Sequence, residues 1–169
     1  LVKRPLIFTV DALLRYPTRS HIYFLECTGN SLGGWAGASP AGPLGRMHGL
    51  LSCAEWTGIP LAMLLDEAGV DPRADWVLAE GIDASGMSRS VPLAKCMDDA
   101  LLAIYQNGER IMPGNGYPMR LLLPGWEGNM NVKWLRRIKL VDQPGMSYYE
   151  ARTYAPILPN GKAYQFYFL

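Results

Sequence analysis

The sequence predicts an α+β domain with a mixed sheet as its main element. Three observations lead there. Runs of strand length, rich in β-branched, aromatic and aliphatic residues, recur between turns; one apolar stretch has clear helical spacing; and 18 glycines and 13 prolines cut the chain into many short elements. At 169 residues, 49% hydrophobic and 18% charged, the chain suits one domain with a substantial core.

Taken in order, Val10–Tyr16 has the composition of a short helix, stopped by Pro17. His21–Cys27 reads as a strand, and Thr28-Gly29-Asn30 supplies turn chemistry where it ends. Ser31–Gly45 is glycine-rich with two prolines and reads as a loop. Pro60–Ala68 is the clearest helix: Leu61, Leu64, Leu65 and Ala68 share a face, Pro60 suits a first turn and Gly69 a C-terminal cap. Trp76–Ala79 reads as a strand leading into Glu80-Gly81-Ile82-Asp83, and Leu93–Met97 as a short helix. Leu101–Tyr105 and Arg110–Met112 flank Asn107-Gly108, a dipeptide that tolerates positive φ at both positions and so marks a hairpin. Met119–Leu123 and Val132–Val141 read as further strands.

Sixteen basic and fifteen acidic residues leave a formal charge of +1, which argues against a nucleic-acid or polybasic membrane surface. No apolar run reaches transmembrane length. The chain opens on Leu1 and closes on the aromatic run Tyr164–Leu169, so both ends read as cuts through a longer protein. Three cysteines, Cys27, Cys53 and Cys96, cannot pair fully, and gaps of 26 and 43 residues do not suit a zinc site. Cys53 and Cys96 lie beside apolar patterns and read as core. Cys27, at a strand end before a glycine turn, is either a small buried hydrophobe or a rigidly held thiolate open to a bulky group. His21 and His48 have no i, i+4 partner, and no nucleophile elbow or phosphate loop is present. Arg120, Lys133, Arg136 and Arg137 are either a solvated face or, through Arg120 and Lys133, a phosphate site; the guanidinium offers a planar fork and the ammonium a point charge. Asn129 and Asn131 add neutral hydrogen-bonding capacity beside Lys133.

Several segments together resemble the sulfite oxidase family of molybdenum–pterin enzymes. Cys27-Thr28-Gly29-Asn30 is similar to the family's C-x-G-N. Trp56-Thr57-Gly58 running into the helix resembles W-x-G-x-x-L, Glu80-Gly81-Ile82-Asp83 resembles E-G-x-D, and Ser90-Val91-Pro92-Leu93-Ala94 resembles S-I-P-L-A. Gly116-Tyr117-Pro118-Met119-Arg120 resembles G-F/Y-P-x-R, and Asn131-Val132-Lys133-Trp134-Leu135 resembles x-V-K-W-L. The likeness runs from Leu1 to about Tyr154. Pro124–Asn131 and the stretch around Tyr154-Ala155-Pro156 narrow it to the molybdenum subunits of bacterial sulfane dehydrogenases.

The resemblance implies a sulfite-oxidase-type fold, with residues 1–145 as a partial molybdopterin-binding domain and 146–169 as the active-site tyrosine segment leading to a dimerisation domain beyond the chain. It implies Cys27 as the ligand to molybdenum, Tyr154 as a catalytic neighbour of the metal, and Asp83, Arg120, Val132 and Lys133 as pterin contacts. Asn115 and Asn131 stand where vertebrate-type members carry histidine. The cofactor implied is molybdenum–molybdopterin, the activity oxidation of carrier-bound sulfane sulfur, the partners a c-type cytochrome and a sulfur-carrier protein, and the compartment the periplasm. Sulfite oxidases carry an arginine just after C-x-G-N; here Ser31 and Leu32 follow, so an uncharged entrance over Ser31–Gly45 with Trp35 is expected, or else charge supplied by Arg89. A sulfite dehydrogenase, another oxo-transfer enzyme of the family, or a fragment that only binds partners are the alternatives.

Overall fold

A computed structural model describes residues 1–31, 44–152, 154 and 159–161. Thr9 accepts a hydrogen bond from the Ala12 N–H and so caps α1 (Val10–Leu13). The chain continues through β1 (Arg19–Glu26), α2 (Leu44–His48), β2 (Leu51–Pro60), α3 (Leu61–Ala68), β3 (Trp76–Gly81), β4 (Ser88–Pro92), α4 (Leu93–Asp98), β5 (Leu101–Gln106), β6 (Glu109–Arg110), β7 (Arg120–Leu122), β8 (Leu135–Val141) and α5 (Tyr148–Arg152). Two antiparallel sheets result. One runs β1-β2-β5-β6, with β7 also paired to β5; the other runs β4-β3-β8. Helix α3 buries Leu61, Leu64 and Leu65, with Pro60 just before its first turn and Gly69, at φ 73°, just after its last. Asn107 and Gly108 take positive φ at the β5–β6 hairpin.

The main core lies between the sheets, with Ile59, Leu102, Ile104 and Leu121 packed together with Val77, Ala79, Val91 and Leu140. Strand β5 is buried on both sides, because Leu101 and Ala103 join a second cluster with Ala54, Trp56 and Leu122. Gly58 lies at a register shift in β2, where a Cβ would stand 2.4 Å from the Leu102 carbonyl oxygen. A side chain there would push β2 off β5, which gives the Trp56-Thr57-Gly58 segment its physical reason.

The α+β architecture is the one expected, with differences in detail. Strands β2 and β4 fall on segments that lack a clean alternating pattern. Residues 132–134 form a bend before β8, with Trp134 at φ 50°. The expected loop over Ser31–Gly45 ends in α2, and its residues 32–43, including Trp35, lie outside the described residues. Cys53 is not in the core. It pairs with Phe24 on the outer face of β1 and β2, turned away from Ala54 and Trp56. Cys96 is fully buried, which pushes its thiol up to about 12.

These placements predict the thiol chemistry. In cofactor-free protein, Cys27 and Cys53 should react with an aromatic disulfide reagent at pH 8 and Cys96 only after denaturation; three equally fast thiols would contradict the fold. Since the folded state holds the Cys96 proton more tightly, its contribution to stability is complete below about pH 9 and is lost as pH rises toward about 12.

Candidate active site

Cys27 leaves the end of β1 into a tight turn. Its N–H donates to the Leu50 carbonyl at 3.0 Å, and its own carbonyl accepts from the Asn30 N–H at 2.8 Å. Asn30 locks the turn: its amide donates to Glu26 Oε1 at 2.7 Å and its Oδ1 accepts from the Leu50 N–H at 3.1 Å. The Cys27 thiol is exposed. Gly128 packs against this turn, where a Cβ would meet the Glu26 carbonyl oxygen at 2.9 Å.

Arg120 and Lys133 converge from β7 and the 132–134 bend. Arg120 is 7% exposed. Its Nη1 donates to the Asn115 carbonyl at 3.1 Å and its Nη2 to the Asn131 carbonyl at 2.8 Å, while Nε is buried without a partner. The guanidinium lies 5.2 Å from the Trp56 ring centroid. Burial lowers its pKa to about 10. Lys133 Nζ donates to the Gly114 carbonyl at 2.9 Å, and burial first, then the Arg120 charge, lowers its pKa. Neither cation forms an ion pair among the described residues. Gly116, at φ 114°, separates them; a Cβ there would lie 3.1 Å from that of Lys133 and 3.2 Å from that of Arg120.

Both cations line an open cavity of about 180 Å³, with Asp83, Asn131, Gly128 and Trp134 also in its wall. Asp83 accepts from the Ser85 hydroxyl and from the Met87 N–H, which lowers its pKa, the Ser85 bond contributing most. Gly81 lets the Lys133 backbone come close: a Cβ there would be 2.7 Å from the Lys133 carbonyl oxygen. Asn131 spends its amide within the chain. Its Oδ1 accepts from the Leu123 N–H at 2.6 Å and its Nδ2 donates to the Glu127 carbonyl at 2.9 Å, fixing the loop whose carbonyl holds Arg120.

Asn129, also in the cavity wall, joins this region to Tyr154. It accepts at Oδ1 from Arg89 Nη2, and the Arg89 guanidinium stands 4.3 Å from the Tyr154 ring centroid. Tyr154 is half-buried, and burial raises its pKa, with the Arg89 charge opposing and the Cys27 charge adding to the shift.

The structure therefore brings together the sequence-predicted Asp83, Arg120, Asn131 and Lys133 around one cavity, with Cys27 and Tyr154 reached through Gly128 and Asn129. Asn115 stands behind Arg120 and donates from its side chain to Gln106 Oε1 at 2.9 Å. Val132 is buried in the core with its N–H and carbonyl both bonded within the chain. Arg136 and Arg137 separate from the expected cluster and pair with Glu80 at 2.5 and 2.6 Å. Glu150 is a residue the sequence did not single out; Glu127 and Gly128 entered only within the Pro124–Asn131 stretch, with no role of their own.

The donor set fits a phosphate-bearing metal cofactor. A desolvated guanidinium with an unused Nε beside an ammonium is an anion site, and an exposed thiol at a rigid turn is a soft ligand. Among the described residues no group of three or more His, Cys, Asp or Glu could hold a metal alone, so the thiolate needs further donors from the cofactor itself. The family model for the oxidoreductase molybdopterin-binding domain matches residues 1–149, and the chain belongs to that family. In fold it is similar to the sulfane dehydrogenase SoxCD of Paracoccus pantotrophus, at 43% identity and TM-score 0.93, over 99% of this chain and 43% of that one. It is 32% identical to the mitochondrial sulfite oxidase of Drosophila melanogaster over 90% of this chain and 28% of the relative. It is 34% identical to NADH nitrate reductase 1 of Arabidopsis thaliana over 88% of this chain and 18% of the relative. The chain thus spans less than half the length of each of these proteins.

The cation pair yields a direct expectation. Arg120→Ala and Lys133→Ala should each weaken pterin retention by about tenfold to a hundredfold, the effect of losing one charge-assisted bond worth about 1.5–3 kcal/mol. Metal content after dialysis, read beside the melting temperature, checks this; full retention by both variants would return the pair to the role of a solvated face.

Proposed function

We propose that this chain is the molybdenum–pterin domain of a periplasmic enzyme that oxidises sulfur carried as a persulfide on a partner protein and passes electrons to a c-type cytochrome. In this reading Cys27 ligates the metal, Arg120 and Lys133 hold the pterin phosphate, and Asp83, with the loop of Asn131 and Val132, borders the pterin. Asn115 steadies Arg120 from behind. The bound cofactor supplies oxygen-atom transfer coupled to a two-electron change at the metal. Each oxygen added to sulfur comes from water, so two protons and two electrons are released for each. A tyrosine hydroxyl is protonated near neutral pH, and burial of Tyr154 raises its pKa further, so it would be able to donate a hydrogen bond to a substrate oxygen beside the metal. The segment over 146–169 delivers this tyrosine and leads toward the domain through which such subunits would dimerise.

One observation favours a carrier-borne substrate over free sulfite: among the described residues, spare positive charge is lacking around Cys27 and Tyr154. A small dianion stripped of water needs convergent cations. Ser31 and Leu32 supply none, and residues 31–43 hold no charged side chain. Arg89, the cation stacked on Tyr154, is countered by the charges of Glu150 and Glu127.

Cys27→Ser in the full-length protein, made in a host that synthesises the cofactor, should abolish turnover, because a serine hydroxyl is a harder and far less acidic donor. Tyr154→Phe should keep the cofactor and slow turnover by about a hundredfold, as expected for loss of a proton donor. Normal turnover by the serine variant would remove the family chemistry from this chain. For the substrate, specificity constants for free sulfite and for a carrier-protein persulfide should be compared with the cytochrome present. The persulfide should be clearly preferred; a preference for sulfite would make the protein a sulfite dehydrogenase.

A further inference from the structure

We propose that Arg89 is a positioning residue that holds Tyr154 and the Asn129 turn in one arrangement beside Cys27. The proposal rests on the function put forward above and adds a residue to it. Arg89 lies on β4 and is 1% exposed. It joins two segments far apart in sequence. Along its edge, Nε donates to the Asn129 carbonyl at 3.3 Å and Nη2 donates to Asn129 Oδ1. Its face stacks on Tyr154 at 4.3 Å. The Asn129 end is fixed to the metal-ligand turn, because Gly128 abuts the backbone of Glu26 and Cys27. The Tyr154 end hangs from α5 by its N–H bond to the Tyr149 carbonyl at 3.0 Å.

Only a planar cation does both jobs. A guanidinium donates from its edge while its face meets an aromatic ring; an ammonium has no face. The surroundings are built to keep this cation in place. Glu150, 2% exposed, accepts from the Ser90 hydroxyl at 3.1 Å and the Ser147 N–H at 2.9 Å, and also from the Ser90 N–H. Those bonds pin α5, and so the approach to Tyr154, onto β4. Glu127, 1% exposed, has neither oxygen in a hydrogen bond of normal geometry, although the Asn129 amide and the Thr28 N–H lie near it. The charges of Glu150 and Glu127 offset that of Arg89 in part, and its Nε and Nη2 donors are already taken by Asn129, so Arg89 serves to hold its neighbours rather than to bind a substrate anion.

A double-mutant cycle in the full-length, cofactor-loaded protein tests this. Arg89→Gln should leave molybdenum content unchanged, lower kcat by about tenfold to a hundredfold, as misplaced catalytic groups do, and leave KM nearly unchanged. In a Tyr154→Phe background the same substitution should change kcat by less than about twofold, because the effect passes through the tyrosine. In cofactor-free protein, hydrogen exchange at the Tyr154 N–H should speed up. Arg89→Gln strands two buried carboxylates; should it fail to fold, Arg89→Lys, which keeps the charge, decides by the same cycle, with a smaller loss of kcat that again vanishes without the tyrosine hydroxyl. Equal losses in both backgrounds, a raised KM with kcat unchanged, or no change would each overturn the proposal. Failure of the unsubstituted protein to load molybdenum would instead overturn the function it rests on.

Discussion

A buried guanidinium, Arg120, held beside a half-buried ammonium, Lys133, with no carboxylate bonded to either among the described residues, is the constraint on which the rest of this domain depends. Burying Arg120 beside Lys133 is unfavourable in the isolated chain, since each loses hydration and each repels the other. The chain offsets this with neutral dipoles, the carbonyls of Asn115, Asn131 and Gly114. Carbonyls steer the donors without cancelling their charge. What remains is a site whose electrostatics improve when a phosphate ester arrives, and that is the property a pterin-binding domain needs.

The sheets exist in this form because three distant segments must meet at that site. Strand β7 brings Arg120 onto β5, the register shift at Gly81 lets the Lys133 backbone approach β3, and Gly116 lets the two cations pass each other. The same economy of side chains at Gly128 sets the loop of Asn129 and Asn131 against the Cys27 turn. At Gly81 and Gly128 a backbone oxygen leaves no room for a Cβ, and at Gly116 one would crowd the Cβ atoms of Lys133 and Arg120. Packing between the two sheets then fixes the spacing from the thiol to the cation pair.

Much of this was legible in the sequence, and for physical reasons. The α3 helix shows because its apolar face follows the helical period, and the β5–β6 hairpin because Asn107-Gly108 is a local backbone requirement. Cys27-Thr28-Gly29-Asn30 is equally local: the cysteine, the turn and the locking asparagine are neighbours in the chain. Strands β2 and β4 were hidden, since β2 has an exposed outer half and a bulge at Gly58, and β4 carries the buried Arg89 where a strand pattern would show an aliphatic residue. Cys53 misled because an apolar neighbourhood in sequence does not say which face of a strand a residue takes. Arg136 and Arg137 looked like partners of Arg120, but the register shift between β3 and β8 at Glu80 and Gly81 leaves both exposed beside Glu80. The links among Arg89, Glu150 and Tyr154 span about sixty residues and leave no local trace at all.

The central claim is that this domain completes a metal cofactor with one protein thiolate, Cys27. X-ray absorption at the molybdenum edge of the full-length protein, compared with its Cys27→Ser variant at matched metal loading, tests it most directly. The account predicts sulfur coordination from both the pterin and the protein in the parent, and the loss of a single sulfur ligand in the variant. An unchanged sulfur count on substituting Cys27 would contradict it.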